Sequence, residues 1–221
     1  MVIKGYLGVA GTIGVGKSTL TVELAEALGF EPALEDAGAN PYLPEFYKDM
    51  HAHVTKMQIW FLSHRVAEHR RIVRRIREGA AKGVVKDRTV WEDIVFAKMF
   101  NHGADKILSD LDYQTYLGLF ENMVLYEPLF PELLIYLDCK PETAIQRIHR
   151  RGRPMEQGVT VEYLAALQQA YYEFLDEMKA FGVSILKIDW EEFMPLSELV
   201  EKVKAHRATL APQPTARAYF R

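Results

Sequence analysis

The clearest motif of the chain is Gly11-Thr12-Ile13-Gly14-Val15-Gly16-Lys17-Ser18-Thr19, which matches the pattern G-x-x-x-x-G-K-[ST] without a mismatch. The apolar run Tyr6–Ala10 precedes it, and a helical pattern over Lys17–Leu28 follows. This is the strand–loop–helix context in which the motif binds phosphate. Glycines let backbone N–H groups curl around a phosphate without side-chain clashes, and the helix N-terminus adds partial positive charge. We therefore expect all nine residues to hold the phosphates of a nucleotide.

Three side chains in and near this loop indicate phosphoryl chemistry. Lys17 supplies a mobile positive charge for the β- and γ-phosphates, and the Ser18 hydroxyl is a ligand for Mg²⁺. Asp87 ends the apolar run Gly83–Lys86, which is the usual position of a second acid on the magnesium side in such proteins. The alternative role of Asp87 is structural, because Asp and Thr both cap helices and a helix is predicted from Val90.

Short apolar runs alternate with longer helical stretches along the chain. As strands, we predict Tyr6–Ala10, Glu31–Leu34, Gly83–Lys86, Leu133–Leu137 and Val183–Ile188. The first, fourth and fifth are apolar on both faces, as expected of parallel strands buried between helix layers. As helices, we predict Lys17–Leu28, Val54–Glu78, Val90–Asn101, Leu111–Glu127, Pro141–Arg150, Val161–Phe181 and a last helix after Pro195. The alternation indicates an α/β fold, a five-stranded parallel sheet with helices on both faces. We expect one domain over residues 1–211 and a disordered, Pro-containing tail over residues 212–221.

Composition narrows the class of partner. The 221 residues include 27 basic and 30 acidic ones, and the net charge of −3 draws the chain neither to nucleic acid nor to an anionic membrane. No apolar run approaches the roughly 18 residues of a membrane-spanning helix. The one cysteine, Cys139, has no second thiol in the chain for a disulfide, which favours a reducing cytoplasm. We therefore expect a cytoplasmic protein with no nucleic-acid or membrane partner.

A cluster of arginines follows the fourth predicted strand. Arg147 and Arg151 are four residues apart and share a helical face, and Arg153 follows Gly152. A hinged, arginine-bearing segment fits a lid over a phosphoryl-transfer site, because negative charge builds up on the equatorial oxygens of the transferred group. We predict such a lid over residues 147–158, with all three arginines catalytic. The alternative is a charged segment that only faces solvent.

Together, these motifs resemble the deoxyribonucleoside kinase family, which includes deoxycytidine, deoxyguanosine and bacterial deoxyadenosine kinases. The resemblance extends from the phosphate loop to about Phe193. It implies a three-layer P-loop kinase fold, a homodimer, and phosphorylation of the 5′-hydroxyl of a deoxyribonucleoside in nucleotide salvage. The implied phosphate donor is ATP, bound through Lys17 and the lid residues Arg147 and Arg151, with Mg²⁺ held by Ser18 and Asp87.

The resemblance also implies roles beside the reacting hydroxyl. Glu35 stands five residues before Asn40-Pro41-Tyr42-Leu43 and matches the glutamate next to the 5′-hydroxyl, although Glu31 offers a competing alignment. Arg88 lies in an acidic-Arg-Ser/Thr motif and positions that hydroxyl. The general base is either Glu35 or Asp87, and both remain open at this point.

Other residues match the family's pockets for the sugar, the base and the donor. The resemblance assigns the 3′-hydroxyl to Tyr47 and Glu156, the base to Gln58, Phe61, Arg65, Asp93 and Phe96, and the adenine of ATP to Glu191, Glu192 and Phe193. An ion pair with Arg65 would make Asp93 an acceptor only, which favours the amino group of adenine or cytosine and repels thymine. Without the resemblance, Gln58 and Arg65 are more simply polar residues on the edge of an apolar helical stripe.

The leading prediction is therefore a deoxynucleoside kinase that prefers deoxyadenosine and also accepts deoxyguanosine or deoxycytidine. One alternative is a nucleoside monophosphate kinase similar to thymidylate kinase. Its acceptor phosphate would need cations where this chain has Tyr47 and Glu156. The other alternative is a non-catalytic ATP-binding protein, which would have no need of a lid.

Overall fold

The predicted strands form one parallel sheet in the computed structural model, which describes residues 2–102, 106–125 and 129–210. In chain order the strands are β1 (Val2–Ala10), β2 (Glu31–Ala33), β3 (Val84–Asp87), β4 (Phe130–Asp138) and β5 (Ser184–Asp189). Their order across the sheet is β2-β3-β1-β4-β5, and all neighbours are parallel. β1 and β4 begin earlier than predicted, because they also pair at their amino-terminal ends, beyond the apolar runs that revealed them. The five-stranded parallel sheet is confirmed.

The helices follow the predicted order with changed boundaries. They are α1 (Lys17–Leu28), α2 (Leu43–Lys48), α3 (Met50–Arg77), α4 (Asp93–His102), α5 (Asp110–Phe120), α6 (Pro141–Arg151), α7 (Val161–Ala180) and α8 (Leu196–Ala208). The short helix α2 was not predicted. α3 begins earlier than expected because Asp49 caps it, accepting a hydrogen bond from the backbone N–H of Ala52 at 3.1 Å.

Two predicted helices differ at one end. The segment Val90–Glu92 is a 3₁₀ turn and not the first turn of α4. After α5, the chain makes one π-helical turn over Glu121–Leu125. The predicted helix end at Glu127 and the predicted tail over residues 212–221 lie outside the described residues, so both remain predictions.

Two large apolar cores cover the two faces of the sheet, and a third, smaller cluster packs β1 and β3 against α3. Alternate residues of β4 point to opposite sides, with Leu134 and Tyr136 in one core and Leu133, Ile135 and Leu137 in the other. The first core contains side chains of α3, α4, α5 and α7, and the second contains side chains of α1, α6 and α8. This is the predicted three-layer α/β arrangement. Among the described residues, no helix is both long and apolar enough to cross a membrane.

The sheet order places a crevice at the carboxyl end of β1. β1 pairs with β3 on one side and β4 on the other, so the chain reverses its direction of winding there. Ligands of open α/β sheets bind at such a switch point. Val9 of β1 is in register with Asp87 of β3, which brings the phosphate loop and the Asp87-Arg88-Thr89 motif to the same edge.

Candidate active site

The phosphate loop connects β1 to α1 in a preset shape. Gly14 and Gly16 have φ angles of +85° and +98°, in the left-handed region that glycine adopts without strain. A Cβ atom at Gly14 would lie 2.5 Å from a side-chain carbon of Ile148 and 2.8 Å from the backbone oxygen of Ala144. Helix α6 therefore packs directly on the loop, and only glycine fits at position 14.

Two residues of the loop make the polar contacts expected of a phosphate site. Lys17 Nζ donates a hydrogen bond to the Thr12 carbonyl oxygen at 2.7 Å. Burial, aided by the nearby Arg88 guanidinium, lowers the pKa of Lys17 to about 8. The Ser18 hydroxyl donates to Asp87 Oδ2 at 2.5 Å. The two candidate magnesium ligands are thus in direct contact.

The chemistry of Ser18 and Asp87 fits a Mg²⁺ ion. Asp87 Oδ1 is buried and has no hydrogen-bond partner within the described ranges, so one carboxylate oxygen is left for a cation. The described part of the chain contains no group of three or more His, Cys, Asp or Glu side chains able to cage an ion. Mg²⁺ commonly takes one or two protein oxygens and completes its shell with water and substrate phosphates. A hydroxyl and a carboxylate side by side suit that mode of binding.

Arg88 is held in place by the turn that follows β3. Its φ angle is +60°, and its backbone N–H donates to the Val9 carbonyl oxygen at 3.1 Å. Its Nε donates to Glu35 Oε2 at 3.1 Å, and its guanidinium carbon lies 4.6 Å from the centre of the Phe96 ring. Its Nη1 donates to the Tyr171 hydroxyl at 2.5 Å. The two residues predicted beside the 5′-hydroxyl, Glu35 and Arg88, therefore form an ion pair.

Glu35 also contacts Arg65, the arginine predicted to read the base. Arg65 Nε donates to Glu35 Oε1 at 2.9 Å, and Arg65 Nη2 hydrogen-bonds the same oxygen. Burial would raise the pKa of Glu35, but the guanidinium groups of Arg65 and Arg88 outweigh it and lower that pKa to about 2. The competing candidate Glu31 instead pairs with the exposed Arg75 at 2.7 Å, outside the cavity.

The predicted ion pair between Arg65 and Asp93 is present. Arg65 Nη1 hydrogen-bonds Asp93 Oδ1, and Asp93 is fully buried. Asp93 Oδ2 has no hydrogen-bond partner among the described residues. Asp93 does not itself line the cavity, so Arg65 stands between this carboxylate and Glu35. A single guanidinium therefore links the expected base site to the expected acceptor site.

A cavity beside the loop gathers most of the predicted residues. The predicted residues that line it are Ile13, Gly14, Lys17, Ser18, Glu35, Tyr47, Gln58, Phe61, Arg65, Asp87, Arg88, Phe96, Arg151, Arg153 and Glu156. Gln58 is buried, and its Nε2 donor has no hydrogen-bond partner in the described part of the chain. An unpaired buried donor in a cavity wall is costly unless a ligand accepts from it. The alternative of Gln58 as a solvated edge residue does not fit its burial.

Other residues at the site were not predicted. The additional cavity residues are Ala37, Leu43, Phe46, Met57, Phe100 and Tyr163. Apart from Ala37, which lies in a 3₁₀ turn, these apolar or aromatic side chains lie on helices and pack with the core, so the sequence carries no signal that separates them from core residues. Tyr171 and Glu92, which contact Arg88 and Thr89, were also missed. The spacing of Thr89 and Glu92 is that of a capping box, which was the available signal for Glu92.

The predicted lid joins α6 to α7. α6 ends at Arg151, and Gly152 has a φ angle of +68°. Arg151 Nη2 donates to Glu156 Oε2 at 2.6 Å, and Arg153 Nη1 lies 3.6 Å from Glu156 Oε1. Burial and the nearby Glu156 carboxylate raise the pKa of Tyr47 to about 12. The two residues expected at the 3′-hydroxyl, Tyr47 and Glu156, are therefore neighbours under the lid arginines.

Arg147 belongs to a different part of the site. Its Nη2 donates to the carbonyl oxygens of Trp190 and Glu191 at 2.9 Å each, and its guanidinium carbon lies 4.3 Å from the centre of the Phe193 ring. Arg147 is not among the residues lining the cavity, unlike Arg151. It therefore lies with the segment predicted against the adenine of ATP. Its predicted catalytic role remains a prediction.

The adenine segment is tied to the phosphate loop. Trp190 Nε1 donates to the Val15 carbonyl oxygen at 2.9 Å, a contact that was not predicted. Glu191 accepts a hydrogen bond from the Thr143 hydroxyl at 2.8 Å, so its carboxylate binds the first turn of α6. Phe193 is 64% exposed, and the neighbouring Glu192 is also exposed. An exposed ring beside a phosphate loop is a suitable platform for a purine base.

Comparison with known proteins identifies the family of the chain. The family model for deoxynucleoside kinase matches residues 7–211. The chain is 39% identical over 203 residues to the deoxyadenosine/deoxycytidine kinase of Bacillus subtilis (strain 168), with 90% of each chain covered. It is 38% identical over 200 residues to the deoxyadenosine kinase of Dictyostelium discoideum, covering 90% of this chain and 78% of the relative.

A solved structure is similar over nearly the whole chain. The deoxyadenosine kinase from M. mycoides with bound dCTP has a TM-score of 0.78 and 30% sequence identity, with 93% of this chain and 100% of that chain covered. The sheet order and the phosphate loop are therefore those of a P-loop kinase fold. The chain belongs to the deoxynucleoside kinase family.

Proposed function

We propose that the enzyme transfers the γ-phosphoryl group of ATP to the 5′-hydroxyl of a deoxyribonucleoside, and that deoxyadenosine is its preferred acceptor. The observation that carries the proposal is one cavity shared by Lys17 and Ser18 of the phosphate loop and by the Glu35–Arg88 pair. Such a cavity holds donor phosphates and an acceptor hydroxyl together, as phosphoryl transfer requires. The names of the relatives in B. subtilis and D. discoideum support adenine as the base.

The transfer needs a group that accepts the hydroxyl proton. The 5′-oxygen attacks the γ-phosphorus, the bond to the β–γ bridging oxygen breaks, and the proton of the hydroxyl passes to Glu35. Glu35 is ionised at neutral pH because its pKa lies near 2. A nucleobase that hydrogen-bonds Arg65 competes with Glu35 for the same guanidinium and so raises the pKa of Glu35. Binding of the base thereby makes Glu35 a better proton acceptor.

Asp87 then belongs to the metal side. Its contact with Ser18 at 2.5 Å and its unpaired Oδ1 support this role over that of a general base. When bound, Mg²⁺ neutralises the charge of the donor phosphates. Lys17 contributes a second positive charge, and Arg151 and Arg153 add charge from the lid. Glu35 is left as the carboxylate nearest the acceptor.

The base site favours a purine with an exocyclic amino group. Asp93 lies behind Arg65 and outside the cavity lining, so in this proposal the bound base displaces Arg65 enough to reach Asp93 Oδ2, an acceptor that suits the N6 amino group of adenine. Gln58 offers an unpaired donor for a ring nitrogen. The O4 carbonyl of thymine would face an acceptor and leave both oxygens unpaired, at about 1–3 kcal/mol each.

A nucleoside monophosphate kinase is the weaker alternative. Its acceptor phosphate would have to lie in place of the 5′-hydroxyl, beside the Glu35 carboxylate, which repels it. The deciding experiment measures ADP formation from ATP with deoxyadenosine, deoxyguanosine, deoxycytidine, thymidine and the four corresponding monophosphates. We expect the largest kcat/KM with deoxyadenosine and the smallest among the nucleosides with thymidine. A larger kcat/KM for any monophosphate contradicts the proposed acceptor.

We further propose a cytoplasmic homodimer with one domain over residues 1–211. The lone thiol Cys139 is buried, and burial raises its pKa to about 11, which suits an unreactive thiol in a reducing compartment. The resemblance to the family supports the dimer. Sedimentation equilibrium measures it directly, and a mass of about 25.4 kDa at micromolar concentration would contradict it.

A further inference from the structure

Arg88 has two of its three guanidinium nitrogens fixed by the protein. Nε donates to Glu35 at 3.1 Å, and Nη1 donates to the Tyr171 hydroxyl at 2.5 Å. Within the described residues, Nη2 has no hydrogen-bond acceptor, and Arg88 lines the cavity. Nη2 is therefore the donor that remains for a ligand. Where it points depends on what holds the other two nitrogens.

The Tyr171 hydroxyl can hold Arg88 in only one way. A guanidinium has donors and no acceptor, so the tyrosine oxygen accepts from Nη1 and its own proton must go elsewhere. That proton is donated to Glu92 Oε2 at 2.9 Å. Tyr171 and Glu92 are each 0% exposed, and Arg88 is 3% exposed. The result is a water-excluded chain of hydrogen bonds from Arg88 through Tyr171 to Glu92.

Glu92 also fixes the backbone that follows Arg88. Its Oε1 accepts from the Thr89 backbone N–H at 2.7 Å and from the Thr89 hydroxyl at 3.2 Å. One carboxylate thus anchors both the backbone after Arg88 and, through Tyr171, the guanidinium. This is needed because Arg88 has a φ angle of +60°, which a residue with a side chain adopts only where its surroundings hold it.

We propose that Tyr171 and Glu92 are positioning residues of the kinase, which orient Arg88 so that Nη2 reaches the transferring phosphoryl group. The inference rests on the proposed function and extends it to two residues that do not line the cavity. Tyr171 lies on α7, directly after the lid, whereas Glu92 lies on the turn after β3. Arg88 is therefore held between the sheet and α7, the helix that follows the predicted lid.

The test compares two buried tyrosines that differ in their hydrogen bonds. Tyr136 is also fully buried, its ring centre is 5.6 Å from that of Tyr171, and its hydroxyl has no partner among the described residues. We expect Tyr171→Phe to lower kcat by about 10- to 100-fold, because a small misplacement of a charge-stabilising group costs that much. We expect KM for deoxyadenosine to change less than about threefold, because the residues that bind the nucleoside in the ground state are unchanged. We expect Tyr136→Phe to leave both parameters unchanged.

Glu92→Gln provides an independent variant. Its amide can accept from Thr89 with the oxygen but can only donate to Tyr171, so the tyrosine proton loses its acceptor. We expect the same fall in kcat with the same retained KM. A folded Tyr171→Phe or Glu92→Gln protein with wild-type kcat overturns the proposal. Equal losses in Tyr171→Phe and Tyr136→Phe also overturn it, because they indicate a general effect on the core.

A double-mutant cycle separates positioning from an independent role. In an Arg88→Lys background, Tyr171→Phe has no guanidinium to orient, and we expect less than about a twofold further loss of kcat. A full additional loss contradicts action through Arg88. The wild-type assay keeps the two proposals distinct: an enzyme that phosphorylates no deoxynucleoside contradicts the proposed function, whereas an active enzyme indifferent to Tyr171→Phe contradicts only this inference.

Discussion

The hydroxyl of Ser18 donates a hydrogen bond to Asp87 Oδ2 over 2.5 Å, and this contact joins the phosphate loop to the strand that delivers Arg88. The two residues are far apart in the chain and meet because β1 and β3 are neighbours in register. The contact separates the carboxylates of the site into two groups. Asp87 faces the loop, whereas Glu35 faces the two arginines.

This separation predicts different behaviour for two isosteric variants. Glu35→Gln should lower kcat by roughly 10²- to 10⁴-fold at every Mg²⁺ concentration, because the proton acceptor is lost. Asp87→Asn should shift the Mg²⁺ concentration that gives half-maximal rate to higher values and recover part of its rate when the ion is added in excess. Steady-state rates across a Mg²⁺ titration measure both. The reverse pattern would assign the base to Asp87.

Removal of the loop lysine tests the phosphate site itself. Lys17→Ala should lower kcat by at least about 10²-fold, since it removes a fixed charge from the transferring group. Circular dichroism and the thermal midpoint serve as controls for folding, and Lys82→Ala is a matched control because Lys82 lies outside the cavity. Unchanged turnover in Lys17→Ala would contradict the assignment of the loop.

The low pKa of Lys17 predicts a pH dependence of ATP binding. The amine is half protonated near pH 8 in the free enzyme, and a bound triphosphate raises its pKa because it favours the charged form. The complex therefore takes up a proton at higher pH, and the Kd for ATP should rise about tenfold per unit above pH 8. Below pH 7 this lysine is charged in both states and contributes no slope. Titration calorimetry in buffers of different ionisation enthalpy measures Kd and proton uptake together. A Kd that stays flat from pH 7 to pH 10 would rule out the effect.

The Arg65–Asp93 pair predicts how base preference changes. The double variant Arg65→Met with Asp93→Ala should raise kcat/KM for thymidine and lower it for deoxyadenosine, because no unpaired carboxylate remains to repel the O4 carbonyl. Arg65→Met alone should have a lower kcat/KM for thymidine than the double variant, because it leaves Asp93 as a buried, unpaired charge. Breaking a buried ion pair by removing one partner costs about 3–5 kcal/mol.

Arg65→Met should also act on Glu35. The Arg65 guanidinium lowers the pKa of Glu35, so removing it raises that pKa. The decrease of kcat at low pH, where Glu35 becomes protonated, should therefore move to higher pH. Arg75→Met is the matched control, because Arg75 pairs with Glu31 at the surface. kcat/KM for thymidine and deoxyadenosine, measured from pH 5 to pH 9, reports both effects. Equal thymidine activity in the single and double variants would contradict the pairing argument.

Local patterns were sufficient to predict the sheet and the loop. β1 and β4 contain apolar, buried runs, whereas the edge strands β2 and β5 are only partly buried. The motif from Gly11 to Thr19 depends on residues adjacent in sequence. The Arg65–Asp93 ion pair could also be predicted, because the buried carboxylate expected from the resemblance needs a charged partner. In each case the evidence lies in a short stretch or in a strict physical requirement.

The remaining contacts depend on long-range packing that sequence does not encode locally. Tyr171 meets Arg88 across 83 positions of chain, and within its own helix it is one aromatic residue among other core residues. The contact of Glu35 with Arg65 was not predicted either, because each already had an expected partner. Helix α2 was missed since its six residues are too short for a helical period to be recognised.

The close packing of α6 on Gly14 limits which parts of the predicted lid can be exchanged between relatives. Ala144 and Ile148 leave no room for a side chain at Gly14, so α6 and the nucleotide loop form a matched surface. In a chimaera with α6 from another kinase, different side chains would pack against Gly14. Such a chimaera would also need the phosphate loop of that other kinase. A graft that starts after Gly152 and ends at Thr160 avoids that surface. The segment 153–160, which contains part of the predicted lid, can therefore be exchanged as a unit of eight residues, whereas α6 must be exchanged together with its own loop.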